Sequence, residues 1–436
     1  MKQTKTPSRG KFYAALVIFS LVGQIAWVVE NMYFNVFIYK MFGASAAEIS
    51  LMVSASAVAA TVTTLLMGAL SDKLGKRRVF ICGGYVLWGI SILSFALIRR
   101  DVIGVLFPAA ASVSAVCVTL VIIMDCVMTF FGSTANDASF NAWLTDVTDH
   151  EGRGAAEGIN AMMPLVAILA VFGGFMSFDL SRAESWTTIF VVIGAVVIVI
   201  GFLGFFLIHE PQIVTDGNKK YFANIVYGFR PSVVKENPML YLFLVGFALF
   251  GISIQIFMPY LILYYTESLK MADYVFVMAP AIILAAVFTA FWGRVHDRVG
   301  VRLSLPPVLL LLAAGYVLLF FFRATALVFV GSLLMMCGYL AGAAVFGAVI
   351  RDYTPENRSG MFQGLRIVAQ VLVPGIIGPA IGAWVLRNAE TVVGDDGTSS
   401  FIPNADIFLY ALLAAAVLGA FLVLLFSVLK KKTAQK

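Results

Sequence analysis

Apolar runs of about twenty residues recur along the whole chain and carry few or no charged residues. Clear examples lie at residues 12–29, 79–98, 187–208, 304–322 and 407–429. A helix needs ~20 apolar residues to cross a hydrocarbon core of ~30 Å, whereas a barrel strand needs only ~10 residues of alternating polarity. The runs have the length of helices and lack the alternation of strands. They predict a helical membrane protein, in agreement with a composition that is 61% hydrophobic and only 12% charged.

Read from the N-terminus, these runs predict twelve transmembrane helices and an all-α membrane protein. The predicted spans are residues 12–38, 46–67, 79–98, 116–144, 155–178, 187–208, 238–264, 273–292, 304–322, 325–349, 361–386 and 405–429. Because the number of spans is even, both termini are expected on the same side of the membrane.

Basic residues are concentrated on the side that carries the termini. Of the 30 Lys and Arg residues, 22 lie in the two tails and the loops on that side, 7 lie on the opposite side, and Arg366 falls inside a span. The positive-inside rule therefore predicts that both termini are cytoplasmic, in a multi-pass protein of the plasma membrane. Since topology accounts for the net charge of +6, no nucleic-acid partner is predicted.

The chain reads as two related halves. The longest polar segment, residues 209–237, separates a six-helix bundle at 1–208 from another at 238–436. The loop string "GALSDKLGKRR" from Gly68 has a counterpart in "GRVHDRVGVRL" from Gly293, and "DVTDHEGRGAAEG" from Asp146 has one in "DYTPENRSGMFQG" from Asp352. Duplicated halves of this kind are typical of secondary transporters, which bind their substrates near the membrane midplane.

The first of these strings resembles the signature loop of the major facilitator superfamily, in which two glycines, an aspartate and a basic cluster follow the second span. The resemblance implies the twelve-helix fold of two pseudo-repeated bundles and transport by alternating access. It also implies that charged residues in these loops act as a gate. The alternative is that they only determine the topology. The implied gate residues are Asp72, Arg77, Arg153, Asp297 and Arg358.

Four charged residues lie inside predicted spans and away from their ends, where each costs ~2.5–3.5 kcal/mol and is expected to face a cavity or a partner. They are Glu30, Asp125, Asp137 and Arg366. Each also has a structural interpretation: Glu30 as an interfacial carboxylate, Asp125 as an outer-edge residue, Asp137 as a helix cap in a broken span, and Arg366 as a side chain that snorkels to the surface.

Polar residues near these charges are candidates for substrate binding. Asn141 follows Asp137 in the polar run "GSTANDASFNAW", and Gln370 lies one helical turn beyond Arg366. In the second half, Gln255 and Tyr260 lie in the seventh span and can hydrogen-bond a ligand. The neighbouring Tyr264 and Tyr265 are expected in the interfacial belt of aromatic residues.

The sequence gives no support to an enzyme. Its three histidines are predicted in loops with no cluster at metal-ligand spacing, and it contains no phosphate-binding glycine–lysine loop. Its four cysteines lie in or beside apolar spans and are interpreted as packing residues. No metal and no cofactor are predicted.

Two stretches, "AWLTDVTDHEGRG" and "YKMFGASAAEIS", resemble the cation-coupled sugar permeases related to the melibiose permease. Those permeases carry two aspartates in span two and an arginine in span five. The aligned positions here are Ala60, Thr64 and Asn160. A proton is therefore favoured over sodium as the coupling cation, because a carboxyl group isolated from water favours its protonated form.

Together these features predict a secondary active transporter for a small-molecule substrate, coupled to a proton or another cation, with a sugar or glycoside as the suggested substrate. A multidrug or lipid-like exporter of the same fold is the first alternative, and a non-transporting membrane sensor is the second. The fold alone suggests a monomer embedded in the lipid bilayer.

Overall fold

The computed structural model describes residues 9–148, 150–210, 226–271, 273–355, 359–393 and 399–434. Within these residues, twelve helices are long and apolar enough to span a membrane, as the sequence predicts. Numbered α1 to α12, they are Gly10–Phe42, Ala46–Leu74, Arg77–Phe95, Val113–Val147, Ala155–Phe175, Ala183–Leu207, Pro238–Ser268, Val275–Val299, Val301–Phe321, Thr325–Tyr353, Gly364–Leu386 and Asp406–Ser427.

Shorter elements fill the connections. Helix Arg100–Leu106 follows α3, and a 3₁₀ turn, Tyr227–Phe229, and helix Pro231–Glu236 precede α7. An antiparallel hairpin of β1, Thr391–Val393, and β2, Ser399–Phe401, lies between α11 and α12, with Val392 opposite Ser400. This hairpin is an addition to the all-α fold that the sequence predicts.

The glycines of the duplicated loops share a positive φ angle. Gly75 has φ 63° at the end of α2, and its repeat counterpart Gly300 has φ 72° between α8 and α9. Positive φ is strained for residues that carry a Cβ atom, so these turns require glycine. The repeated sequence therefore encodes a repeated turn.

The described residues divide into two compact units. Unit one lies within Met1–Ala44 and Val58–Ile225, and unit two within Ser45–Ala57 and Val226–Lys436. The first part of α2 thus groups with unit two, which the sequence does not predict. Most of the predicted central loop, residues 211–225, lies outside the described residues, and the predicted domain bounds stay a prediction.

Unit one packs through close helix contact and through aromatic rings. A Cβ atom on Gly89 of α3 would lie 2.6 Å from the carbonyl oxygen of Gly194 in α6, so only glycine permits this approach. At the end of these helices, the rings of Phe34, Phe95 and Phe190 pack edge-to-face or tilted with centroids 4.7–5.7 Å apart. Such aromatic packing adds to the free energy of burial.

In unit two, a glycine permits the same close approach between α9 and α10. A Cβ atom on Gly315 would lie 2.4 Å from the backbone nitrogen of Met335. Tyr264 and Tyr265 of α7 are buried here, and the hydroxyl of Tyr265 lies 2.5 Å from Ser332 Oγ. The prediction that these two tyrosines belong to an interfacial belt is therefore wrong, because both hydroxyls find partners inside the unit.

Candidate functional site

Two of the predicted carboxylates lie on neighbouring helices of unit one, and one of them accepts a hydrogen bond from the helix that carries the other. Thr129 Oγ1 of α4 donates a hydrogen bond of 2.9 Å to Glu30 Oε1 of α1. Asp125 precedes Thr129 by four residues and therefore lies on the same face of α4, one turn away. The three side chains are buried, so the pair Glu30 and Asp125 forms an acidic group inside the unit.

This acidic group lies at one depth of the membrane. Glu30 is twelve residues before the end of α1, and Asp125 is twelve residues after the start of α4. Because consecutive spans run in opposite directions, both are ~18 Å from the same face at 1.5 Å per residue. The helices of 33 and 35 residues are longer than a ~30 Å core requires, and neither carboxyl group lies near a helix end.

Four helical segments with π-type hydrogen bonding interrupt the spans, and three of them contain predicted site residues. Val29–Tyr33 contains Glu30, Ser133–Phe140 contains Asp137, and Val368–Leu372 contains Gln370. A π-segment widens the helix and displaces its side chains, and such segments are frequent at functional sites. The fourth is Tyr264–Ser268.

Asp137 is half-buried on α4 and accepts a hydrogen bond of 3.0 Å from Ser133 Oγ. It lies twelve residues beyond Asp125, about 18 Å along the helix, and so belongs to a different layer. Asn141 is exposed, and its amide donates to the backbone oxygen of Asp137 at 3.2 Å. Asn141 and Asp137 thus form a local polar patch on α4.

A buried hydrogen-bonded cluster lies beside this patch, and the sequence does not predict it. Asn136 Nδ2 donates to the hydroxyl of Tyr85 at 2.8 Å, and that hydroxyl donates to the Phe19 carbonyl at 2.6 Å. A Cβ atom on Gly23 would lie 2.3 Å from the Asn136 amide, so α1 can approach only through a glycine. The polar run around Asn136 is visible in the sequence, but no pattern there indicates Tyr85 as its partner.

Asn160, which replaces the span-five arginine of the sugar permeases, also has a structural partner. Its side-chain oxygen accepts a hydrogen bond from Ser20 Oγ of α1. The contact links α1 to α5 without a charge. Both replacements expected from the sequence, at span two and at span five, therefore leave neutral side chains where those permeases carry ionised ones.

In unit two, the candidates on α7 lie against α11. A Cβ atom on Gly378 would lie 2.4 Å from Gln255 Cβ, so the two helices touch at this point, and Gln255 is half-buried. Tyr260 is fully buried, and its hydroxyl donates to the backbone oxygen of Ala46 at 3.0 Å. With its only hydroxyl proton engaged, Tyr260 contributes to packing in this structure.

The candidates on α11 differ in exposure. Arg366 is half-buried, and its guanidinium reaches α10, where a Cβ atom on Gly347 would lie 4.0 Å from Nη2. Gln370 is exposed within its π-segment. Arg366 lies close to the start of α11. This position agrees both with a side chain that faces a cavity or a partner and with one that snorkels to the surface.

Two predicted gate residues of unit one, Asp72 and Arg77, belong to a compact ionic cluster around Arg77 at the start of α3. The guanidinium of Arg77 contacts Asp72 Oδ1 at 2.5 Å and Asp146 Oδ2 at 2.9 Å, and it donates to Ser71 Oγ at 2.5 Å. Arg77 is buried, whereas the side chains of Asp72 and Asp146 are 48% and 29% exposed. The cluster ties the ends of α2, α3 and α4 together on the face predicted to be cytoplasmic.

The equivalent position in unit two has different contacts. Asp297 is exposed at the end of α8. The preceding His296 is buried and lies in the helix, with Nδ1 2.7 Å from Ser304 Oγ of α9. The prediction that His296 lies in a loop is therefore wrong. Arg153 lies on helix His150–Phe175, and Arg358 lies outside the described residues.

Within the part of the chain that the structure describes, no three His, Cys, Asp or Glu side chains come together in a way that could hold a metal ion. Among the residues predicted from the sequence, ionisable groups come together in the acidic group of α1 and α4 and in the ionic cluster around Arg77. Two halves, twelve spans, buried carboxylates and a charged loop are the parts of a transporter.

Comparison with known families decides the classification. The model of the Major Facilitator Superfamily matches residues 13–379, and a second match covers residues 276–436. The chain belongs to the major facilitator superfamily. It is therefore a transporter and a multi-pass integral membrane protein, and not an enzyme.

Solved structures of major facilitator superfamily transporters share the fold at low sequence identity. A bacterial homolog of the human lysosomal transporter Spinster, inward-facing and occupied, has a TM-score of 0.70 and 15% identity over 96% of this chain and 97% of that chain. The nucleoside transporter NupG has a TM-score of 0.72 and 12% identity over 94% of this chain and 99% of that chain. A D-xylose-proton symporter has a TM-score of 0.70 and 14% identity over 94% of this chain and 97% of that chain. No curated protein matches the sequence of this major facilitator superfamily member.

Proposed function

We propose that this transporter is a secondary active transporter that moves a small neutral solute by alternating access and couples its movement to protons through Glu30 and Asp125. The observation that carries the proposal is the acidic group itself: two buried carboxyl groups on α1 and α4, one of them bonded to Thr129. Ionised groups inside a membrane are costly, and they persist where function requires them.

A proton suits this acidic group better than a metal cation does. The positions that carry aspartates in sodium-linked sugar permeases are Ala60 and Thr64. A carboxyl group, by contrast, binds a proton with one oxygen and becomes neutral, which removes the cost of a buried charge.

The substrate class is inferred from the uncharged polar residues among the candidates in the spans. Asn141, Gln255 and Gln370 are amides, and each offers both donors and acceptors of hydrogen bonds. Amides are suited to hydroxyl-rich solutes such as sugars and nucleosides. NupG and the D-xylose-proton symporter, named as carriers of such solutes, share the fold, which makes these compounds the first to test.

The test uses the purified full-length protein in liposomes with an imposed pH gradient and a panel of labelled sugars and nucleosides. We expect accumulation of one solute, driven by the gradient and accompanied by proton movement. Glu30→Gln and Asp125→Asn should each abolish gradient-driven accumulation, while exchange of solute across the membrane without a gradient persists. Glu184→Gln, which removes an exposed carboxylate of the same unit, should leave accumulation unchanged.

Retention of proton-driven accumulation in both carboxylate variants would refute coupling through this group. Efflux of lipophilic cations, with no uptake of any sugar or nucleoside, would favour the multidrug exporter instead. Thermal unfolding of each variant shows whether a loss of transport comes from a loss of folding.

A further inference from the structure

A cavity in unit one lies away from the acidic group. It is found where α1 and α3 end and α6 begins, on the face opposite to the Arg77 cluster. Its volume is about 270 Å³, close to the lower limit for pockets that bind small molecules. The walls are aromatic rings of Phe37, Phe95, Trp186 and Phe190. These side chains are buried, so the interior is apolar and shaped by packed, rigid groups.

The mouth of the cavity is cationic. Arg99 and Arg100 follow α3 directly and line the cavity together with Asp101. Arg99 donates two hydrogen bonds of 3.1 Å to the carboxylate of Asp101. These bonds lower the pKa of Asp101, so the carboxylate stays ionised, and the three residues carry a net charge of +1.

The surroundings of the mouth are apolar and exposed, which indicates that it opens towards lipid. Leu97, Val105 and Leu106 are 65%, 80% and 65% exposed, and the latter two lie on the short helix Arg100–Leu106. Apolar side chains with this exposure, next to arginines at the end of a spanning helix, are typical of the boundary between acyl chains and headgroups. A water-filled vestibule would not favour them.

We propose that this cavity binds an anionic phospholipid of the bilayer, with part of an acyl chain between the aromatic rings and the phosphate at Arg99 and Arg100. Apolar walls with a cationic rim complement a molecule with an apolar chain and an anionic head. A neutral headgroup would lack the attraction to the arginines, which contributes to binding wherever basic side chains meet anionic lipids. The bound chain would lie between α1, α3 and α6.

The test measures lipid binding to the full-length protein by native mass spectrometry, with phosphatidylglycerol and phosphatidylcholine of identical acyl chains. We expect tighter binding of phosphatidylglycerol at one site. The double variant Arg99→Gln, Arg100→Gln should weaken that binding by about tenfold or more and remove the headgroup preference. Ala183→Phe, which fills the cavity from its wall, should remove the site for both lipids.

The control is Arg182→Gln, which makes the same substitution at one exposed arginine outside the cavity; its binding should match that of the unaltered protein. Glycerol phosphate, which has the headgroup without the chain, should not compete. Equal binding of the two lipids, unchanged binding in Ala183→Phe, or competition by glycerol phosphate would each overturn the proposal. Ala183→Leu serves as a second cavity-filling variant should Ala183→Phe fail to fold.

Discussion

Replacing Arg77 by glutamine should destabilise the fold more than any other single charge change in the loop between α2 and α3. The substitution removes two ion pairs, to Asp72 and Asp146, and a hydrogen bond to Ser71. Removing one partner of a fully buried ion pair costs ~3–5 kcal/mol. Because Asp72 and Asp146 are 48% and 29% exposed, water can replace part of the lost interaction. The expected loss is therefore about 2–3 kcal/mol.

A loss of this size changes the unfolding equilibrium by a factor of roughly 30 to 150. It can be measured by equilibrium unfolding in mixed micelles of a mild detergent and dodecyl sulfate. Lys76→Gln is the matched control, since it makes the same charge change one residue away at an exposed side chain. That variant should stay within ~0.5 kcal/mol of the unaltered protein.

The pairwise interaction can be isolated with a double-mutant cycle of Arg77→Gln and Asp146→Asn, which should give a coupling energy of at least ~1 kcal/mol. The reasoning is refuted if Arg77→Gln is no more destabilising than Lys76→Gln. It is also refuted if the cycle shows no coupling, because the effect would then come from something other than the observed ion pair.

Two further predictions use the same unfolding assay. Gly89→Ala should cost ~1–3 kcal/mol of stability because its Cβ atom meets the Gly194 carbonyl. Gly83→Ala in the same helix, with nothing within 4 Å, should be neutral or stabilising by up to ~1 kcal/mol. Equal effects of the two substitutions would contradict the packing argument. Tyr85→Phe should cost ~1–3 kcal/mol by leaving the Asn136 amide and a backbone carbonyl without their buried partner, and an unchanged stability would show that this bond contributes nothing net.

The number of spans follows from the sequence because the bilayer sets a minimum length for apolar runs, whereas their ends do not, since α2 continues to Leu74 and α8 to Val299, beyond the predicted 67 and 292. The interruptions within the spans do not follow from it. A π-segment such as Val29–Tyr33 depends on where a polar side chain finds its partner, here Glu30 with Thr129, 99 positions away. Periodicity identifies that such a residue is unusual, but the partner helix is decided by tertiary packing.

The same reason explains the errors for side chains that have both an apolar body and a polar end. Tyr265 and His296 look suitable for an interface or a loop, yet each is buried with a serine hydroxyl as its partner, Ser332 and Ser304 respectively. Burial of such groups is favourable only when a hydrogen bond replaces water. Because a lone serine gives no signal in an apolar run, the sequence alone favours exposure.

The duplicated loops separate what a repeat can encode from what it cannot. The glycines at 75 and 300 have a positive φ in both copies, since that requirement is local. The contacts diverge because the neighbours diverge: Ser71 in the first copy hydrogen-bonds the buried Arg77, whereas the residue at its repeat position, His296, pairs with Ser304 and leaves Arg302 exposed. Of the gate residues implied by family resemblance, Asp72 and Arg77 form an ion pair with each other, whereas Asp297 is exposed, and the gating role of all five stays a prediction. A gate built on the first copy alone would make the two halves functionally unequal, although their chains follow one plan.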